Sequence, residues 1–281
     1  MDNQVELFED VKIFNQNISA DTIQINSGAC EVDSQSDNPY VPYAIIPKND
    51  WRELTEAEHD ALVGTDKTLP ASSSVGVINV PEETFIPLKR EGFYNLTSES
   101  EITTFLKRGD LSAIYKPFYE LFLNHLRKND GVALTPFLTK PPNQVTVTVN
   151  IIDGVSRKVG IHVDTWDKLC MKDLSQARNR ICINGGVEER YFLFYNITLN
   201  TISKILKKKG VKGIEQLYIS HRLLNEFLKH VNNYPMVRIK VRPGQAYIAP
   251  TENIFHDGST LGTSEVDRHM TCRGHFSLNG C

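Results

Sequence analysis

His162-Val163-Asp164 places an imidazole and a carboxylate two positions apart in a stretch that reads as a β-strand. Strand side chains at i and i+2 face the same way, so both groups can aim at one point. A third donor, His256, lies far downstream, on or at the end of a later short strand. Two imidazoles and one carboxylate on one face of a metal leave three coordination positions open, which suits Fe(II) oxygen chemistry. Structural zinc would instead close its shell with four protein ligands, often thiolates. A His-X-Asp tripeptide is short enough to arise by chance, and a packed or surface histidine is its bland alternative. The surroundings favour the metal. The motif opens at Gly160 and continues into Thr165-Trp166-Asp167, His256 ends the run PGQAYIAPTENIFH, and Arg268 follows twelve residues later.

The elements that must position these groups are strands. Val145, Val147, Val149 and Ile151 alternate with Thr146, Thr148 and Asn150, the period of two of a half-buried strand, and Gly160–Asp164 follows a turn at Asp153-Gly154. RICIN (180–184), RYFLFYNI (190–197), VRIKV (237–241), QAYIAP (245–250) and a last strand from about Asp267 to Leu278 complete the set. The aromatic run from Tyr191 to Tyr195 reads as core. Helical spacing of three and four marks a helix from Leu111, with Ile114, Phe118, Leu121 and Phe122 on one face, ended by Gly131. A second is expected over about 213–232, a shorter one near 201–209, and another from Glu53 to Leu62. Residues 34–43 and 69–76 read as loops. Strands crowded late, with helices early and inserted, indicate α+β: a barrel or sandwich supported by helices. No βαβ alternation and no GxGxxG is present, which argues against a dinucleotide-binding fold.

His-X-Asp, a strand-rich interval, a late His and then an Arg on the terminal strand resemble the iron(II)/2-oxoglutarate-dependent dioxygenases. The resemblance covers about residues 143–278 and implies a double-stranded β-helix, the jelly-roll or cupin-like barrel. Residues 1–142 would then be a supporting region, with a helical insertion at about 198–235, all in one domain. It implies Fe(II) held by His162, Asp164 and His256, with 2-oxoglutarate as cosubstrate and O2 as oxidant. In that family a basic residue on the last strand holds the distal carboxylate of 2-oxoglutarate, and an arginine fork meets a carboxylate with two parallel bonds. Arg268 and Arg273 both compete for that role. Arg268 shares its strand face with Met270, Cys272 and Phe276, an apolar set expected to line the barrel, and is preferred on that ground. Asn184 can bond the cosubstrate, while Arg180 and Trp166 are candidates for the substrate. Asp257 and Glu252 can orient the metal histidine or simply sit in a turn; His269 and His275 lack ligand spacing. The related halogenases replace the acid with a small residue. Asp164 is present, so hydroxylation is expected, with desaturation or cyclisation also open.

Composition bounds the partners. The chain has 281 residues with 31 Lys plus Arg against 34 Asp plus Glu. A net charge of −3 leaves no electrostatic footprint for nucleic acid or anionic lipid. No apolar run is long enough to span a bilayer. The N-terminal MDNQVELFEDVK is acidic and unlike a secretory signal, and the five cysteines show no CxxC pair. A cytoplasmic protein with reduced thiols is expected. Its partner would be a small-molecule substrate, such as an amino acid or another polar metabolite of a biosynthetic route, selected by the irregular first hundred residues and the insertions at 165–178 and 198–235. The oligomeric state is not readable. Two rival readings share the barrel: a non-catalytic cupin-like binding protein, and a hydrolase or isomerase using a divalent metal as Lewis acid.

Overall fold

The computed structural model describes residues 7–14, 20–33, 39–64, 70–128, 131–214 and 221–278. Its strands are β1 (Lys12–Phe14), β2 (Ile23–Ile25), β3 (Ala29–Glu31), β4 (Ile45–Pro47), β5 (Arg52–Glu53), β6 (Val63–Gly64), β7 (Ser74–Asn79) and β8 (Ala133–Lys140). The second half adds β9 (Val149–Ile152), β10 (Val155–Lys158), β11 (Asn179–Asn184), β12 (Arg190–Thr198), β13 (Val237–Val241), β14 (Gln245–Ala249), β15 (Ile254–Ser259) and β16 (Asp267–Gly274). Six helices stand out: α1 (Glu56–Leu62), α2 (Ile86–Arg90), α3 (Glu99–Leu106), α4 (Ser112–Asn124), α5 (Leu199–Lys208) and α6 (His221–His230).

Two sheets dominate this α+β fold. A seven-stranded sheet runs in the order β6-β1-β7-β14-β11-β16-β8, and a five-stranded sheet runs β15-β12-β13-β2-β5. From β11 onward every named pairing in both sheets is antiparallel, and the chain passes from one sheet to the other between β11 and β12, β13 and β14, β14 and β15, and β15 and β16. β12 is buried on both faces accordingly. Phe192 stacks on Tyr247 of the seven-stranded sheet at 4.1 Å between centroids, while Tyr195 meets Tyr234 beyond the opposite face.

A helical layer covers the outer side of each sheet. Leu88, Ile102, Phe105, Phe118 and Phe122 of α2–α4 bury against Ile181, Ile183, Met270 and Cys272 of the larger sheet. Leu199, Ile202, Leu206, Leu223, Leu224 and Phe227 of α5 and α6 join the core that holds Leu193, Tyr195 and Ile197. By area alone, burying one such Leu or Phe contributes roughly 1.5–3 kcal/mol.

Several expectations shift here. The first helix begins at Glu56 because Thr55 and Glu58 form a capping box, leaving Arg52 and Glu53 to pair with β2. The helix from Leu111 is α4. Of the one expected over 213–232, α6 is seen, and residues 215–220 lie outside the described set. Residues 74–76, read as loop, start β7 and extend the large sheet, as does β8, which precedes the expected core boundary; of the expected loops, residues 34–38 and 69 lie outside the described set.

The expected strand over 145–151 is interrupted. Val147 N–H donates to Gly258 O (3.1 Å), and His162 bridges His256, so 147 and 162 lie along one edge of β15. Between them the chain leaves as the hairpin β9–β10. Its turn residues Asp153 and Gly154 have φ of 51° and 78°, the left-handed pair that closes a two-residue hairpin.

Candidate metal centre

The paired edge of β15 assembles the centre. His162 N–H donates to His256 O (3.0 Å), His256 N–H to His162 O (2.7 Å), and Asp164 N–H to Thr251 O (3.0 Å). Backbone pairing therefore fixes both histidines, with ring centroids 4.8 Å apart, before any ion is considered. His162 Nδ1 lies 2.8 Å from Gly160 O and His256 Nδ1 lies 3.2 Å from Ile254 O. A carbonyl only accepts, so each Nδ1 carries the proton and each Nε2 keeps its lone pair. Those two nitrogens approach Asp164: His162 Nε2 to Oδ1 at 4.0 Å and His256 Nε2 to Oδ2 at 3.8 Å. One ligand atom from each residue lies within 4.8 Å of the others, a gap that one ion with bonds on the order of 2 Å can bridge. It is the one such grouping among the described residues.

Burial sets the charge states. His256 is pushed down to about 3, chiefly by burial, so at neutral pH it is the neutral imidazole that binds metals. Burial works to raise Asp164, yet Arg180 and the two histidines hold it below the usual carboxylate range. The set offers one carboxylate and two imidazole nitrogens, which fits a first-row divalent ion such as iron with positions left open.

A cavity of about 350 Å³ runs inward from the triad, lined by Arg180, Cys182, Arg190, Tyr247, Gly258 and His269 among others. At its far end Arg190, 3% exposed, faces Asp267 Oδ2 (3.6 Å) and donates to Cys182 Sγ (3.4 Å), while its Nε has no hydrogen-bond partner. Its guanidinium lies against Gly258: a Cβ there would come within 2.9 Å of Nη2. Gly258 is two strand residues beyond the ligand His256, a step of about 7 Å. His269 Nδ1 bonds Asp267 Oδ2 at 2.8 Å, and Lys140 completes the lining. Burial first, then Arg190, pushes His269 down to about 4. Arg190 and Lys140 are the cations that line this part of the cavity, while the carboxylates that act on them, Asp267 and Asp257, are not among its lining residues.

The other expected site residues fall in different places. Arg268 is turned away, a correction of the parity reading. It reaches through the outer layer, donating to Phe93 O at 2.8 Å and to Leu96 O, with its guanidinium over the Phe93 ring. The apolar set it shares, Met270, Cys272 and Phe276, packs on α2–α4 rather than lining the cavity. Arg273 does lie on the inner parity but at the rim. It sits between Asp167 (3.5 Å) and Glu252 (3.6 Å) and over the Trp166 ring. Asn184 is consumed by a turn: its amide donates to Glu188 O and Val241 O and its oxygen accepts from Gly186 N–H. Arg180 faces Asp164 Oδ2 at 2.8 Å, so it serves the metal-ligating carboxylate rather than a free mouth.

Trp166, 62% exposed, lines a second cleft of about 470 Å³ above the triad with Val149, Asn150, Val159 and Phe255. Thr165 lines this mouth too, as expected of 165–178, whereas no described residue of 198–235 lines either space. Sequence reasoning missed Arg190 and discounted His269. The signal for both was inward parity with Gly258 and Thr271, legible only once the faces of the sheets are known.

No family model matches this sequence, and no curated protein matches it. Among solved structures, those of "Kdo hydroxylase KdoO, a non-heme Fe(II) alphaketoglutarate dependent dioxygenase" overlap it in part. The complex with succinate and Fe(III) is 15% identical at a TM-score of 0.37, and that with cobalt(II) is 13% identical at 0.38. The complex with alphaketoglutarate and Fe(III) is 14% identical at 0.36. Each covers 73% of this chain and 80% of its own. What the centre can do follows from its own side chains. No helix among the described residues is long and apolar enough to cross a membrane.

Proposed function

We propose that this protein is an Fe(II)/2-oxoglutarate-dependent oxygenase that hydroxylates an unactivated C–H bond of a small metabolite, such as an amino acid or an amino-acid-derived intermediate. One observation carries the reading: His162, Asp164 and His256 converge, with both Nδ1 atoms turned to backbone carbonyls, in the wall of a cavity that Arg190 and Lys140 also line. The passage of the chain back and forth between two antiparallel sheets supports a double-stranded β-helix as the frame. We read the catalytic unit as one domain, acting in the cytoplasm on a small molecule, without nucleic-acid or membrane partners.

The chemistry that iron supplies when bound there is O2 activation coupled to decarboxylation of 2-oxoglutarate to succinate and CO2, with hydroxylation of the substrate. The chain supplies position and charge. Asp164 gives the third protein donor, and its presence favours hydroxylation over halogenation. Arg180 neutralises one carboxylate oxygen of Asp164 and leaves the other to face the metal. Arg190 takes the distal carboxylate of 2-oxoglutarate in place of Arg268 or Arg273. Its buried fork and unpartnered Nε lie about two strand residues from His256, and a five-carbon diacid has that reach. At the mouth, Asn150 and Thr165 offer hydrogen bonds, and Val149, Val159, Phe255 and Trp166 offer apolar surface, a mixture suited to an amphiphilic small substrate.

An anaerobic titration tests this. Fe(II) followed by 2-oxoglutarate should produce a visible charge-transfer band, and admitting air with a substrate pool should release succinate. Metal binding without that band, with a hydrolytic or isomerase activity indifferent to O2, would establish the Lewis-acid alternative. Failure to retain any divalent metal would leave a cupin-like binding protein.

A further inference from the structure

Asp257 follows the ligand His256 on β15, and its side chain points to the other side of that strand. It is fully buried, and its two oxygens are treated differently. Oδ1 accepts from Thr148 N–H (3.2 Å), Thr148 Oγ1 (2.7 Å) and Gly258 N–H (2.7 Å). Oδ2 is buried with no hydrogen-bond partner. The nearest opposing group is the His162 ring, whose Nδ1 lies 4.0 Å from Oδ2. Three bonds on one oxygen hold the carboxylate rigidly; burial pushes its pKa up, and Lys140, Lys158 and Arg190 act on it through charge alongside the His162 ring. His162 Nδ1–H is already committed to Gly160 O, so Asp257 acts on the ring through charge rather than as its acceptor.

We propose that Asp257 is a positioning residue for the metal centre. Its carboxylate faces the rear edge of His162 and stabilises the positive charge that the imidazole acquires when Nε2 binds a divalent ion. The inference rests on His162 being a metal ligand and adds a role for a group outside the coordinating set. Carboxylates that accept the N–H of a metal-bound histidine raise its donor strength, and their loss weakens metal affinity about 10- to 100-fold; Asp257 acts through charge alone, which places it at the lower end of that range.

Asp257→Asn separates charge from scaffold, because the amide oxygen can still accept all three bonds made by Oδ1. Co(II) binding to the metal-free protein, followed by its visible absorption, is the readout, with thermal unfolding of the same metal-free samples alongside. The expected result is a Co(II) Kd raised about tenfold in Asp257→Asn, with the metal-free variant still unfolding cooperatively. Thr148→Val deletes one of the three bonds but keeps the charge, and should lower the Tm while leaving the Kd within about threefold of the parent's. A Kd in Asp257→Asn equal to the parent's overturns the proposal, as does an equal weakening in Thr148→Val, which would make the role structural. If the parent itself binds no Co(II), the metal-centre reading falls and this one with it. If the parent binds and Asp257→Asn matches it, only this one falls.

Discussion

The two faces of the seven-stranded sheet each lie against a buried arginine, and the two arginines are treated in opposite ways. On the outer face Arg268, 1% exposed, gives its fork to two backbone carbonyls and lies over Phe93. It stitches the 93–96 segment to β16. Across the sheet Arg190 is as deeply buried and, like Arg268, leaves Nε without a hydrogen-bond partner, yet its terminal nitrogens find only a thiol and a carboxylate at 3.6 Å, and a cavity lies beside it. Proteins rarely bury a cation incompletely satisfied. The contrast teaches that burial alone does not identify a binding arginine; the state of its donors and the space in front of them do.

That contrast breaks most visibly in the cosubstrate. Arg190→Met should weaken 2-oxoglutarate binding to the Co(II)-loaded protein by about 100-fold, the scale of about 3 kcal/mol for losing one partner of a buried charged pair. Co(II) affinity itself should stay near the parent's. Arg268→Met should leave 2-oxoglutarate affinity unchanged. Isothermal titration with both variants decides it, and the reverse pattern would return the anchor to the last strand.

Arg268→Met should act on stability instead. The buried Phe93 O and the part-buried Leu96 O lose their donor, and leaving such groups unsatisfied costs about 1–3 kcal/mol each where water cannot reach them. A loss of about 3 kcal/mol in urea unfolding is expected, with metal binding by the folded fraction intact. A variant as stable as the parent would mean that water or a shifted neighbour satisfies those carbonyls.

The metal triad was legible in the sequence because strand periodicity is local: residues at i and i+2 share a face wherever the strand goes. The same rule misled at β16. That strand is buried on both faces, so an apolar alternate set such as Met270 and Cys272 does not distinguish the cavity from the helical layer. Arg190 opens β12 and carries no local pattern; only the register that sets it against Gly258 reveals it. Asn184 and Arg273 illustrate a further limit. A polar side chain near a site in sequence can be consumed by a turn or by neighbouring carboxylates, and spacing does not say so. The helical insertion at 198–235 was readable as helix, but whether it capped the mouth or the far sheet depended on which face of β12 it would cover.

The inner face also differs in its response to pH, the mildest of these effects. His269 titrates near 6.5 when unfolded and at about 4 when folded, because burial and the nearby Arg190 disfavour its charged form. Between those values the unfolded chain binds the extra proton, so stability must fall as pH drops from about 6.5 toward 4. Arg268 stays charged throughout this window and contributes no slope. In His269→Gln the slope of unfolding free energy between pH 7 and 5.5 should flatten by about 1 kcal/mol over that interval relative to the parent. His256 is present in both proteins, so its own contribution cancels in the difference. Urea titrations at several pH values measure this directly, and parallel curves would mean that His269 is not held neutral. If the curves do diverge, adding 2-oxoglutarate with Co(II) should narrow the gap. An anion seated beside His269 favours its protonated form, raises its folded pKa toward the unfolded value, and so removes the proton imbalance that produces the slope.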